Sequence, residues 1–190
     1  SIPVLLRLLY STGMRIGEAC SLINSDVDMS SRIILVRNTK NKRDRQLPIS
    51  DSLYQVLEQY LIKRDKLPLH NMGNPNSPFL ISLDGSSLTG VSARHWFYKI
   101  LEASDIDYIP KVGPRIHDLR HTFAVHVLDK LVKEGVDMHC CLPVLSMALG
   151  HKCVSDTEYY VRITNQVYPH LSDTTSAISE YVFPTISTMK

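Results

Sequence analysis

The fold turns on residues 116–132, Ile116-His117-Asp118-Leu119-Arg120-His121-Thr122-Phe123-Ala124-Val125-His126-Val127-Leu128-Asp129-Lys130-Leu131-Val132. The stretch reads as a long amphipathic helix that carries His117, Arg120 and His121 in its first turns and is ended by Gly135. His117 and Arg120 are three apart and so share a helical face. Pro110, Gly113 and Pro114 punctuate the chain just ahead of it. Beyond it, Leu142 to Leu149 predicts a helix that stops at Gly150, and a further helix should hold Tyr159 and Tyr160.

Toward the N-terminus the same periodicity recurs. Val4, Leu5, Leu8 and Leu9 follow helical spacing up to Thr12, where Gly13 supplies a stop. Ile16, Ala19, Cys20 and Ile23 suggest a second, short helix, which sets Arg15 and Glu18 three apart so that the acid can brace the arginine. Two strand-like runs, Ile33–Val36 and Gln46–Ile49, flank the polar, turn-prone residues 38–44 and predict a β-hairpin. Leu53, Val56, Leu57, Tyr60 and Leu61 predict a helix capped by Ser50 or Asp51. A loop marked by Pro68, Gly73, Pro75 and Pro78 follows, then a short strand over Phe79–Leu83 and a helix over Val91–Leu101. No internal repeat interrupts this order. The expectation is one mainly α domain with a small antiparallel β-sheet.

Composition narrows the class. At 190 residues, 44% apolar and 21% charged, the chain can bury a real core and is neither disordered nor fibrous. The longest charge-free apolar run, Cys140 to Gly150, is well short of the roughly 20 residues that a bilayer-spanning helix needs. The N-terminal stretch is interrupted by Arg7 and reads as a fragment's first helix, not a signal peptide. Four cysteines are too few for a disulfide scaffold, and the adjacent Cys140 and Cys141 would bridge only with strain, so a reducing cytoplasm is expected.

Net charge is only +2, but its distribution is uneven. Between Arg32 and Arg45 the basic residues Arg32, Arg37, Lys40, Lys42, Arg43 and Arg45 face the single acid Asp44. Such a hairpin tip suits a phosphate backbone, and Lys42, Arg43 and Arg45 are the expected contacts to DNA.

Four clusters join polar groups to tight-turn residues: Thr12-Gly13-Met14-Arg15-Ile16-Gly17-Glu18, the basic hairpin tip, His117-Asp118-Leu119-Arg120-His121, and Leu149-Gly150-His151 followed nine positions later by Tyr160. Singly, each is ordinary, since an arginine beside a glutamate is usually a surface ion pair. In this order and at these intervals they resemble the catalytic domain of the tyrosine recombinases, the phage integrase family, from about Thr12 to Tyr160. The resemblance implies a mainly helical fold with a small sheet. It also implies a pocket formed by Arg15, Lys40, His117, Arg120, His151 and the nucleophile Tyr160. Counting back from Pro48, which resembles the family's proline after the second hairpin strand, selects Lys40 over Lys42, although Asn41 stands where the family commonly has glycine.

Phosphate chemistry accounts for the same residue types. Displacement at a phosphodiester concentrates charge on the nonbridging oxygens, and two guanidiniums that never deprotonate can meet it. Arg15 and Arg120 take that role, and no metal or other cofactor is expected. Tyr160 would attack phosphorus and keep the energy of the broken bond in a 3′-phosphotyrosyl link, so that rejoining needs neither ATP nor a ligase. Lys40 would protonate the departing 5′ oxygen. His117 and His151 would donate to the phosphate or assist proton loss from the tyrosine, and Glu18 would orient Arg15 from behind.

Other assignments compete for the same residues. His117 and His121 have the i, i+4 spacing of a zinc pair, but Arg120 lies between them. His139, Cys140, Cys141, His151 and Cys153 lack paired Cys-x-x-Cys spacing. Tyr159 competes with Tyr160; adjacent helical positions point about 100° apart, so one faces the pocket and the other packs. Two further readings are a DNA-binding protein on this fold that no longer cuts and a monomeric type IB topoisomerase. Against the latter stands the tail from residue 164, where Ile178, Tyr181, Val182, Phe183 and Ile186 cannot bury themselves and suit exchange between protomers. The expected organisation is a catalytic domain over 1–163 and a tail over 164–190, without the family's separate N-terminal DNA-binding domain. The expected partners are double-stranded DNA attachment sites, copies of the same chain forming a tetramer on paired sites, and an accessory directionality factor. No membrane is expected; the setting would be bacterial or phage-encoded cytoplasm.

Overall fold

A computed structural model describes residues 1–37, 44–109 and 112–160, less the side chains of 138 and 139. The chain clusters into two compact units, Ser1–Phe123 with Met147–Gly150, and Ala124–Ser146 with the residues from His151 onward.

The first unit opens with α1 (Ile2–Thr12), whose buried Leu5, Leu8, Leu9 and Thr12 recur at helical intervals. Gly13 ends it in the left-handed region at φ 64°, its N–H donating to the Leu9 carbonyl at 2.9 Å. A side chain at Gly13 would also run into the Phe123 ring and, at 2.9 Å, into Leu149. Glycine is thus required there by both conformation and space.

The second helix, α2 (Ile16–Cys20), is shorter than its apolar spacing suggests. Leu22 and Ile23 leave the helix because their backbone pairs elsewhere: Ile23 bridges Pro78, and the Phe79 N–H donates to the Leu22 carbonyl at 2.8 Å. A 3₁₀ turn over Asn24–Asp26 leads into the sheet.

The sheet has three antiparallel strands in the order β1 (Val27–Asp28), β2 (Ile33–Val36), β3 (Arg45–Pro48). Its register sets Ile34 opposite Leu47 and Val36 opposite Arg45. Ile34, Val36 and Leu47 are buried while Gln46 and Pro48 are exposed, so the period of two turns Arg45 to the same inner face as Leu47. Pro48 lies on an edge strand, where its missing N–H does little harm.

Ser50 caps α3 (Asp51–Arg64) by accepting the Leu53 N–H, and Thr89 caps α4 (Gly90–Ala103) through Ser92. The core of this unit gathers Leu5, Leu8, Ile34, Leu53, Leu57, Phe79 and Leu80, all essentially closed to solvent. Each such aliphatic or aromatic side chain contributes about 1.5–3 kcal/mol on burial.

The strand expected over Phe79–Leu83 is absent. Only single bridges form, Ile23 to Pro78 and Ile81 to Ser87, because the segment's backbone groups pair piecemeal with Leu22, Leu88 and Ser86. Phe79, Leu80 and Ile81 are nevertheless consecutive buried residues, which is what the apolar run signalled.

The long helix α5 runs Asp118–Lys133 and α6 runs Met138–Leu149. Ile116 and His117 precede α5 in a turn, since the Asp118 carboxylate accepts the Arg115 N–H at 2.8 Å and the Arg120 N–H reaches the His117 carbonyl at 3.0 Å. In the second unit Val125, Leu128, Cys141, Leu142 and Leu145 are buried, and residues 155–160 are helical. No helix among the described residues is long and apolar enough to cross a membrane.

Candidate active site

In the first unit the polar residues converge on the end of α6. The last carbonyls of an α-helix have no partner within it and carry the negative end of its dipole. Here arginines take three consecutive ones. Arg45 Nε donates to Ala148 O at 2.8 Å, Arg120 Nη2 to Leu149 O at 2.7 Å, and Arg15 Nη2 to Gly150 O at 3.3 Å. Arg120 also donates from Nη1 to Gly13 O at 2.6 Å, which ties the stop of α1 to the stop of α6. Gly150 sits at φ 67°, and a Cβ there would come within 2.8 Å of Arg45 Nη1.

Glu18 organises two of these arginines. It lies three residues into α2, where its Oε2 accepts the Arg15 backbone N–H at 2.9 Å. Its Oε1 takes Arg15 Nη1 at 3.1 Å and Arg45 Nη1 at 3.2 Å, while Arg45 Nη2 reaches Oε2 at 2.7 Å. Burial by itself would raise the carboxyl's pKa; the bonds and charges of Arg45 and Arg15 outweigh it and hold the group below the usual glutamate range. Three guanidiniums against one carboxylate leave the cluster cationic.

The three arginines differ in access. Arg120 is 2% exposed, and the side chains of Arg45 and Arg15 are 10% and 29% exposed. Arg15 therefore has the most accessible side chain of the three. Arg45 does not stand out in solvent; the inner face of β3 turns it into the cluster. The local charge leads to the expectation of a DNA contact, whereas the strand's alternation sets which way the side chain turns.

His117 is exposed and lies edge-on to His121, with ring centroids 5.0 Å apart and planes at 89°. Desolvation lowers the pKa of both rings and Arg120 and Arg115 lower them further, which outweighs the opposing charge of Asp118, so both favour the neutral imidazole.

In the second unit, His151 Nδ1 pairs with the Thr157 hydroxyl at 2.8 Å. This contact fixes the ring and directs Nε2 away from Thr157. The His151 ring lies parallel to that of Tyr160, with planes 5° apart and centroids at 6.1 Å. Tyr160 is 3% exposed and Tyr159 is 57% exposed. Of the adjacent pair, the tyrosine beside the histidine is thus the enclosed one, and Tyr159 is the exposed one, its ring edge-on to that of Tyr160 at 5.9 Å. Thr157 escaped the sequence reading; its spacing of six from His151 resembles no motif.

Lys40, Lys42, Arg43 and the apolar tail residues Ile178 to Ile186 lie outside the described residues. Among the described residues, no group of three or more His, Cys, Asp or Glu side chains could hold a metal ion.

Comparison with known proteins identifies the family and the fold. The model of the phage integrase family matches residues 2–166. The chain is 32% identical over 160 residues to the tyrosine recombinase XerC of Thermodesulfovibrio yellowstonii, covering 84% of this chain and 49% of that protein. It is 31% identical over 163 residues to XerC of Bacillus subtilis, covering 86% and 49%. The chain thus spans about half the length of the curated relatives it matches. Among solved structures, the XerA recombinase superposes with a TM-score of 0.64 at 24% identity, covering 88% of this chain and 61% of that one. The Tn1549 transposon integrase, solved with a circular intermediate DNA, gives a TM-score of 0.62 at 25% identity, covering 84% and 52%. The chain belongs to the phage integrase family, and its fold is that of a tyrosine recombinase catalytic domain.

Proposed function

We propose that the whole protein is a site-specific DNA recombinase that cleaves and rejoins double-stranded DNA through a 3′-phosphotyrosyl intermediate. The observation that carries this reading is the arginine cluster, in which Glu18 braces Arg15 from behind while the Arg15 side chain stays 29% exposed. A preorganised cation costs no reorganisation when charge develops on the nonbridging oxygens, and this is where phosphoryl-transfer catalysis resides.

In the proposed reaction Arg15 and Arg120 meet the nonbridging oxygens of the scissile phosphate. The Tyr160 oxygen attacks phosphorus and loses its proton with help from His151 or from His117, whose lowered pKa favours the neutral, proton-accepting ring. The bond from phosphorus to the 5′ oxygen breaks, and Lys40 supplies the proton that this oxygen takes up. Reversal by a 5′ hydroxyl from another strand rejoins the DNA without an external energy source. A role in integrating and excising a mobile element is supported by the likeness to the Tn1549 transposon integrase. Assembly as a tetramer on paired sites, with residues 164–190 docking on a neighbouring protomer, belongs to the same proposal, as do a directionality factor and a bacterial or phage setting.

A suicide duplex nicked beside the cleavage position tests the chemistry. The expected result is a covalent adduct that maps to Tyr160 and vanishes in Tyr160→Phe. An adduct on Tyr159, or one that survives Tyr160→Phe, refutes the assignment.

A further inference from the structure

We propose that Arg45 is a positioning residue for the arginine cluster and makes no contact to DNA. The inference rests on reading the cluster as a phosphoryl-transfer site. Its basis is geometric. The pairing of β3 with β2 turns Arg45 inward opposite Val36, and its side chain is 10% exposed. All three guanidinium nitrogens are engaged with the protein: Nη1 and Nη2 lie against the two oxygens of Glu18, and Nε against Ala148 O.

The arrangement solves an electrostatic conflict. A carboxylate that holds an arginine in place also neutralises it, and a buried carboxylate does so most strongly because water screens little there. Glu18, with 8% of its side chain exposed, paired to Arg15 alone would set its full charge against the guanidinium meant for phosphate. Arg45 takes the parallel, bidentate share of that charge. Glu18 then orients Arg15 through one side-chain bond and one backbone bond without cancelling it. Through Nε, the same guanidinium holds the carbonyl of Ala148, three residues before His151, so one residue fixes both the acid and the end of α6.

The test compares Arg45→Lys, Arg45→Met, Glu18→Gln and the Arg45→Met/Glu18→Gln double variant in the intact chain. Affinity and its salt dependence are measured on a mixed-sequence duplex, and adduct formation on a suicide duplex taken from the DNA flanking the gene. Lysine keeps the charge but cannot present two parallel donors and a third to Ala148. Arg45→Lys should therefore slow adduct formation about tenfold or more, the scale of a misplaced reacting group, with affinity and salt slope unchanged. Glu18→Gln should restore part of the rate and part of the urea stability lost in Arg45→Met, because it removes the stranded carboxylate.

An Arg45→Lys protein at the parental rate overturns the proposal. So does a loss of affinity with the salt slope reduced by about one, the mark of a lost phosphate contact. If the parental chain binds DNA but forms no adduct, the strand-transfer reading fails instead. The Arg45 assignment is then decided by affinity and by whether Glu18→Gln restores stability to Arg45→Met; absence of that coupling refutes it.

Discussion

Arg120 should prove to be as much a structural residue as a catalytic one, and Arg120→Met separates the two roles. Methionine keeps the apolar stem but deletes the donors to Gly13 O and Leu149 O, bonds of 2.6 and 2.7 Å made by a side chain that is 2% exposed. A hydrogen bond to a charged group is worth about 1.5–3 kcal/mol, and stranding its buried partner forfeits most of that. Two such bonds give about 3–6 kcal/mol; removing a buried cation recovers part of its desolvation, so about 3 kcal/mol is the working figure. Against a total stability of about 5–15 kcal/mol this is a large loss, and for a chain of this size it lowers Tm by roughly 6–12 °C. Arg15→Met is the control. Its bond to Gly150 O is 3.3 Å long, its side chain is 29% exposed, and the Glu18 carboxylate that it leaves keeps both donors of Arg45, so the substitution should cost less than about 1 kcal/mol. Urea unfolding at neutral pH and calorimetry measure both variants. An Arg120→Met protein within about 1 kcal/mol of the parent, or an Arg15→Met protein equally destabilised, would refute the division of labour.

Three further outcomes are expected. Burial lowers the pKa of His117 and His121 in the folded state, so the unfolded chain takes up protons first as pH falls below about 6.5 and stability drops there, while above that window both rings are neutral in either state. The double variant His117→Gln/His121→Gln should flatten that decline in pH-dependent urea titrations, and an unchanged slope would show that other groups set it. Lys40→Ala should be slow on ordinary DNA yet largely rescued when the 5′ leaving oxygen is replaced by sulfur, because a thiolate departs without a proton; rescue of Lys42→Ala instead would move the general acid to Lys42. Adduct formation should persist in excess EDTA, since guanidiniums supply the charge that a metal would otherwise bring; activity lost on chelation and restored by magnesium or zinc would overturn this.

Local patterns carried much of the architecture. Residues in α1, α3 and α5 repeat at helical intervals because each helix buries one stripe against the interior, and a stripe leaves its period in the chain. Gly13 marks the stop of α1 because only glycine enters the left-handed region without strain. Arg15 and Glu18 were legible as a braced pair for the same reason: their partnership spans three residues, and helical spacing dictates it. The order of the basic and histidine-bearing clusters was sufficient to suggest the family, which the matched family model and the XerC relatives then bear out.

Elsewhere the outcome depended on groups far apart in the chain. Phe79 to Leu83 looks like a strand by composition, but a strand needs a continuous neighbour, and its backbone groups found separate partners at Leu22, Ser86 and Leu88 instead. Arg45 looks like a DNA contact because its sequence neighbours are basic; the pairing of β3 with β2 turns it inward, where Glu18 lies 27 residues and Ala148 lies 103 residues away. Tyr159 and Tyr160 are chemically identical, and only the folded helix encloses one and exposes the other. The residue types and their spacing thus determined which functional groups this protein has to work with. Long-range packing decided which carbonyl each arginine grips and which face each side chain occupies, because hydrogen bonds and burial depend on distance in space while periodicity records only distance along the chain.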